Sequence, residues 1–522
     1  MQKQHRFSEV PTVGVPRSVF DRSHGLKTTL NAMQLVPVLV DEALPGDTFS
    51  VKGTFLARMA TPIKPVMDNI WLDSFFFFIP NRLIWSHWVN FCGEQDNPAD
   101  TIAYTIPQIV SPGGGYANSS VYDYMGLPTA IAGISHSALP LRSYNLTWNQ
   151  WFRDENLQNS VARNLGDGPD ASTDYVILNR GVRHDYFTSC LPNPQKGSTA
   201  VSLPLGTTAP VKAGGPSGGI VDIQSGASGI RTLQMDGATK NITYSGAIYG
   251  VAGNITYASD NNTGLFTDLS AATATTINAV RQAFTIQQFL ELDARGGTRY
   301  IEKVKAHFGV SSPDARLQRV EYLGGGSTRV NIGAVPQTAP TVAGQTPQGN
   351  VAAYSATVST GNGFSKSFTE HGIILGLVAI RADITYQQGL DKMWSRSTEY
   401  DFYWPIFANL GEQAVLNQEI DCYHGSLTSV FGYQERYAEY RYKPSRVTGQ
   451  FRSNFATPLD YWHLADNYTA LPALNATWIS RTPPMSRVEA VAGGPDFLMD
   501  CHFDMKCTRP MPVYSIPGLA RL

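Results

Sequence analysis

The chain has 522 residues, of which 42% are apolar, 11% aromatic and only 16% charged, with a formal net charge of −2. Soluble domains usually carry about 25% charged residues. Low charge with ordinary apolar content excludes a disordered chain and fits a surface largely covered by partners. The near-neutral total excludes a polycation, so any nucleic-acid contact is local.

The 47 Gly and 32 Pro are scattered throughout and leave few long helical patterns. This favours an all-β sandwich or barrel with long loops. The five cysteines, Cys92, Cys190, Cys422, Cys501 and Cys507, are odd in number and form no Cys-x-x-Cys. Neither a disulfide framework nor a structural zinc site is expected. The opening MQKQHRFSEV lacks the apolar core of a secretory signal. Ile70–Pro80 is too short to span a bilayer and carries Asp73. Cytoplasmic synthesis without membrane insertion is therefore expected. The Asn-x-Thr sequences at Asn145, Asn241, Asn254 and Asn467 read as chance matches.

In chain order, residues 1–35 read as an extended, basic-leaning arm with Lys3, Arg6, Arg17, Arg22 and Lys27. A frayed terminus and an arm laid on a neighbouring subunit or an encapsidated nucleic acid both fit. Strand patterns follow at Leu35–Val40 and Thr48–Met59, with a Pro45-Gly46 turn between them. Ile70–Ile79 is a short aromatic strand with Phe75 to Phe78 in a row, stopped by Pro80. A helix is predicted next, with Asn81 as N-cap and Leu83, Ile84, Trp88, Phe91 and Cys92 on one side. A second short helix is predicted at Leu146–Leu157, with Trp148, Trp151, Phe152 and Glu155 on one face.

Residues 197–277 change to a composition rich in Gly, Ser, Thr and Ala. The segment far exceeds the roughly 12–15 residues of an ordinary structureless loop. It reads as an inserted surface subdomain, with a flexible linker as the alternative. Thr285 and Gln288 then suggest a capping box for a helix reaching Phe308, broken or kinked at Gly296-Gly297. Strands are predicted at 317–333, 350–358 and 373–386, the last apolar enough to be central. Phe497–Lys506 alternates Phe497, Met499, Cys501, Phe503 and Met505 with Leu498, Asp500, His502, Asp504 and Lys506. The ending RPMPVYSIPGLARL reads as an extended, proline-spaced tail. The expected organisation is an arm (1–35), a first part of the main domain (36–197), an insertion (198–280), and the remainder with its tail (281–522).

Candidate chemistry is sparse. Asp500, His502 and Asp504 share a strand face, but such neighbours lie ~7 Å apart and converge poorly on one ion. They read as a solvated or inter-subunit face. Cys190 near His184 and Asp185 reads as a structural thiol rather than a nucleophile. Asp154 and Glu155, adjacent on a helix, point apart and make no glycosidase-type pair. Asp293–Tyr300 lacks the Lys-Ser/Thr of a phosphate-binding loop and reads as a sharp turn with Arg295 and Arg299 exposed or paired. No catalytic, metal-binding or cofactor-binding residue is assigned.

The stretch from 366 to 452 is dense in Tyr, Trp, Phe and Arg, the residue types of macromolecular interfaces. Within it, Tyr437, Tyr440 and Tyr442 interleave with Arg436, Arg441, Lys443, Arg446 and Arg452. These are the candidate DNA-binding or inter-subunit residues. Aromatic rings stack on unpaired bases while cations neutralise phosphates. Glu435 and Glu439 dilute the charge and suit pairing across a subunit contact equally well, and a role in fold stability stays open.

Long ordered phrases carry a resemblance. They include FDRSHGLKTTLNA (20–32), DEALPGDTF (41–49), DSFFFFIPNRLIW (73–85), PLRSYNLTWNQWFRDENLQ (140–158) and RHDYFTSCLPNPQKG (183–197). ELDARGGTRYIEKVKAHFGVSSPDARLQRVEYLGG (291–325), the aromatic stretch above and RPMPVYSIPG (509–518) continue it. Together they resemble the major capsid proteins of the Microviridae, specifically the gokushovirus branch. The likeness covers everything except 198–280 and parts of 98–139 and 453–495.

The resemblance implies an eight-stranded antiparallel jelly roll with long loop insertions and a few short helices. It implies sixty copies in a T=1 icosahedral virion around circular single-stranded DNA, assembled in the cytoplasm of a bacterial host. The family's variable insertion forms three-fold protrusions that engage a host surface receptor, and 198–280 lies where it belongs. Other implied partners are a DNA pilot protein, an internal scaffolding protein and a small basic DNA-binding protein. Two alternatives stand beside it: a β-sandwich carbohydrate-binding protein or glycosidase, and a cupin-like metalloenzyme.

Overall fold

A computed structural model describes residues 16–197, 277–297, 300–309, 318–344, 346–491 and 493–514, with short strand segments between 211 and 267. The first fifteen residues of the expected arm, most of 198–280, Arg299 and the end of the tail lie outside the described residues. The chain forms two compact units, Met1–Pro194 with Thr298–Leu522, and Gln195–Gly297.

The first unit is built on strands, some alternating buried and exposed residues and some buried nearly throughout. They are β1 (Ser18–Asp21), β2 (His24–Leu30), β3 (Val36–Ala43), β4 (Thr48–Met59) and β5 (Ile70–Pro80). Helix α1 (Leu139–Trp151) follows, then β6 (Glu321–Arg329), β7 (Thr357–Ser367), β8 (Gly372–Ala382), β9 (Glu412–Leu416), β10 (Val430–Glu435) and β11 (Phe497–Arg509). One antiparallel sheet has the order β1-β11-β4-β7 with β2 also on β11, and a second has the order β6-β5-β8-β3. β1 and β2 run along the same edge of β11, interrupted only at Arg22-Ser23. Taken as one strand, they leave four strands per sheet, in the connectivity of a jelly roll. The residues from 18 to 30 of the expected arm are thus extended and bonded to the chain's own last strand.

Between the sheets lies one core, in which Phe49, Val51 and Phe55 of β4 and Phe497, Cys501 and Phe503 of β11 meet Phe76 and Phe78 of β5 and Ile374 and Val378 of β8. Burying each large apolar side chain contributes about 1.5–3 kcal/mol. Phe503 packs edge-on to Phe55 and Phe76 at 5.8 and 6.5 Å. The second sheet is apolar on its other face too, where Phe77, Ile79, Leu375 and Leu377 pack under α1 and Trp85. This double burial explains the unbroken Phe75–Phe78 run. Strand β8 is central, as its composition predicts.

The helices correct three expectations. After Pro80 the chain makes only a 3-10 turn, Asn81–Leu83, and one helical turn, Trp88–Phe91, and Asn81 makes no side-chain cap. Ile84 and Trp85 turn inward instead, and the Trp85 indole N–H donates to Asp167 at 2.8 Å. Helix α1 starts seven residues before the predicted Leu146, with Pro140 in its first turn, where a missing N–H costs nothing. Its polar residues hid the pattern because they are buried with partners: Arg142 pairs with Asp170 at 2.6 Å, and Asn145 donates to the carbonyls of Ala162 and Asp174. Thr285 lies inside a helix spanning Ile277–Arg295, its hydroxyl bonded back to the Arg281 carbonyl rather than capping. The break at Gly296-Gly297 is present, and a helix resumes at Tyr300–Phe308.

Besides the Ile277–Arg295 helix, the second unit contains a four-stranded antiparallel sheet ordered Ile242–Tyr244, Ile230–Met235, Val221–Gln224, Thr256–Tyr257.

Candidate functional site

The basic and aromatic segment leaves the β9–β10 hairpin, whose register pairs Glu412 with Glu435. At Tyr437 the backbone turns left-handed, with φ of 62°. That conformation costs on the order of 1–3 kcal/mol for a bulky residue, and packing holds it in place. The Tyr437 N–H donates to the Gln413 side chain at 3.0 Å, and its buried ring lies edge-on to Tyr403 at 5.3 Å. Tyr437 is a pin of the fold, not a free stacking platform.

The cations of the segment are also engaged within the chain. The Arg436 guanidinium lies over the Tyr437 ring at 4.8 Å and donates to the Tyr400 carbonyl at 3.4 Å. Arg441 pairs with Glu435, while Lys443 at 3.9 Å and Arg446 pair with Asp391. Burial pushes the Asp391 carboxyl pKa up, but the Met393 N–H and Arg446 outweigh it and hold it below the ordinary value. Arg452 donates to the Gln387 carbonyl at 3.0 Å. The backbone at Ser445 and Val447 bonds to Tyr386 and fixes this part of the loop on the small core of Phe187, Tyr386, Ile420 and Trp478. Tyr442, Arg446 and Arg452 therefore line a cleft with Tyr386 and Asp391, whereas Arg436, Tyr437 and Tyr440 belong to a separate surface.

That surface is a ledge of exposed rings that the choice of residues 436–452 missed. Trp394, Tyr400, Phe402, Tyr403, Trp404, Ile406 and Leu410 are all exposed, Ile406 by 84%. Local chemistry displays them. Asp391 caps the turn Lys392–Trp394. Asp401 accepts the N–H groups of Ser397 and Thr398 and the Thr398 hydroxyl, which take its pKa down to about 2. Pro405 opens the turn Pro405–Phe407. Beneath the rings, Arg396 pairs with Glu439 at 3.0 Å and lies over Tyr440 at 4.3 Å. The signal was present in the sequence, as the density of aromatics in MWSRSTEYDFYWPIFANL.

The other candidates do not converge. Asp500, His502 and Asp504 project from the outer face of β11, and Lys27 lies 3.6 Å from Asp500. Cys190 is buried, its thiol pKa raised by that burial, while His184 is exposed. Asp185 is occupied by the N–H groups of Phe187 and Thr188 and by the Tyr386 hydroxyl. Asp154 accepts the N–H groups of Asn156 and Leu157 in a turn. Among the described residues, no helix is long and apolar enough to cross a membrane.

The chain has relatives among known proteins that match it along nearly its whole length. It is 48% identical to the capsid protein VP1 of Bdellovibrio phage phiMH2K, covering 99% of this chain and 98% of that protein. It is 43% identical to the capsid protein VP1 of Chlamydia phage 1 and 36% to that of Spiroplasma virus 4, each over 99% of this chain and 98% of the relative. The family model described as capsid protein (F protein) matches residues 8–519. A jelly roll whose sequence matches these phage proteins and the family model along nearly its whole length places the chain in the microvirus capsid protein (F protein) family.

Proposed function

We propose that this chain is the major shell subunit of a small bacteriophage, with sixty copies closing a T=1 icosahedron around circular single-stranded DNA. The observation that carries this reading is the ledge at 394–410. A run of exposed Trp, Tyr, Phe and Ile far exceeds the scattered apolar residues of a monomer surface, and such patches mark protein contacts. The neighbouring cations already have partners within the chain, which favours a subunit contact over a phosphate-binding role for most of the segment. Lys443 and Arg441, the most exposed cations of the set, are where a DNA contact remains the second reading.

Residues 198–280 are proposed as a three-fold protrusion for host attachment. Pilot, scaffolding and small basic DNA-binding proteins are the proposed viral partners. A glycosidase reading has no support at Asp154 and Glu155, which are held in a turn and by Arg153 at 3.8 Å.

The test is the double variant Trp404→Ser, Ile406→Ser, co-expressed with the viral neighbours and imaged by electron microscopy. Wild type should give uniform closed particles, and the variant should give folded subunits without shells. Normal particles from the variant would remove the ledge from assembly.

A further inference from the structure

A second aromatic site lies on the α1 side of the β6-β5-β8-β3 sheet. It is a cleft of about 540 Å³ inside the first unit. Phe75 and Phe77 of β5 form its floor, and Trp151 and Phe152 at the end of α1 and Tyr322 of β6 form one wall. The Phe77, Trp151 and Tyr322 rings lie 5.6 to 5.9 Å apart. Trp151 and Tyr322 are 41% and 43% exposed, unusual for rings so close to a core. The Trp151 N–H is already bonded to the Val320 carbonyl at 3.0 Å, so only its ring is on offer.

The rest of the lining is rich in cations. Arg180 is held over Phe75 at 5.1 Å by its pair with Asp73. Arg153 donates to the Gln158 carbonyl at 3.0 Å. Arg183 and His184 are exposed, and neither has an ion-pair partner among the described residues. At the rim, Arg319 lies over Trp151 at 5.8 Å. The one carboxylate lining the cleft, Asp154, is committed to its turn.

Flat apolar faces beside an uncommitted guanidinium suit a planar, apolar-faced group joined to an anion. Bases stack on aromatic rings whatever their sequence, and arginine takes the phosphate. A sugar would need several free donors and acceptors on the walls, and here the free polar groups are cations. We propose that this cleft holds one unpaired base and its adjoining phosphate, with the base on Trp151 and Tyr322 and the phosphate on Arg183. It rests on the proposed enclosure of single-stranded DNA, and places a contact away from residues 436–452.

The experiment titrates the purified full-length chain with an eight-nucleotide oligodeoxythymidine while following tryptophan fluorescence. Wild type should quench saturably, and a duplex of the same length should bind far more weakly. Trp151→Leu should weaken binding about five- to a hundredfold, the range of one lost stack. Arg183→Gln, an exposed change that leaves the fold intact, should lower the slope of log affinity against log salt by about 0.7, the loss of one phosphate contact. Equal binding by duplex, or an Arg183→Gln protein with unchanged affinity and salt slope, overturns the cleft. Tight binding of a short acidic, phenylalanine-containing peptide without oligonucleotide binding assigns the cleft to a protein partner and also overturns it. Particle formation is scored separately. DNA-filled shells with no cleft binding sink only this inference, whereas cleft binding by a chain that never forms shells sinks the shell reading.

Discussion

Asp73 lies inside β5, 3% exposed, where an isolated charge would be costly. Arg381 donates to it at 2.8 Å and Arg180 pairs with it, while Arg381 also pairs with Asp383 at 2.8 Å. Burial acts to raise the Asp73 pKa, but Arg180, the Ser327 hydroxyl and Arg381 together outweigh it and the net shift is downward. Its contribution to stability is therefore present above the unfolded value of 3.8 and lost as pH falls through the folded pKa. Asp73→Asn, which strands Arg180 and leaves Arg381 with Asp383 alone, should cost about 3–5 kcal/mol in denaturant unfolding of the unassembled chain. Glu489 is the opposite case. It is buried beside Asp496, and burial with the Asp496 carboxylate pushes its pKa up to about 7 from an ordinary 4.5. The folded state keeps this proton longer than the unfolded chain, so stability falls as pH rises from about 4.5 to 7. Glu489→Gln should flatten the pH dependence of the unfolding midpoint in that window and gain most on wild type above pH 7. An unchanged profile would show that the carboxyl does not titrate there.

At the scale of elements, β6 and β7 each lie hard against a paired neighbour of their own sheet, β5 and β4. A Cβ on Gly325 would lie 2.1 Å from the Ser74 carbonyl oxygen, and one on Gly363 would lie 2.0 Å from that of Val51. No side chain fits there, and the neighbouring Thr328 and Ser359 hydroxyls bridge the two strands at 2.7 Å. Gly325→Val should force β6 off β5 and send the protein to the insoluble fraction. Ala at Gly113, where a Cβ would meet nothing, should leave solubility unchanged. The two together separate close approach from a general loss of glycine. The helix ends follow the same local logic, since α1 begins at a tolerated Pro140 and ends where Phe152 packs edge-on to Phe75 and Phe77.

At the scale of the whole molecule, the jelly roll is covered unequally. Its second sheet lies under α1 and the long loops, whereas Asp500, His502, Asp504 and Lys506 leave the outer face of β11 polar. Long loops are added where the barrel alone offers no ledge, and they carry their own small core. Residues Gln195–Gly297 form a compact unit of their own. Excision of 198–280 should therefore leave a soluble first unit able to form shells, with adsorption to host cells sharply reduced. Loss of soluble protein on excision would mean that the insertion belongs to the main core.

The alternation at Phe497–Lys506 settled the strand and its two faces in advance, because a period of two admits one assignment once one face must leave water. The central place of β8 was legible for a different reason, its strongly apolar run, whereas the Phe75–Phe78 run fitted burial on both faces and a subunit contact on one equally well until α1 was seen to cover it. Other features depended on partners far along the chain. Helix α1 looked too polar to be buried until Asp170 and distant carbonyls met Arg142 and Asn145. Lys443 and Arg446 find their partner in Asp391, 55 residues before Arg446. Composition marked 366–452 as rich in the residue types of interfaces. Which of its rings face outward was decided by tertiary structure alone, since exposure is what remains after every long-range contact has formed.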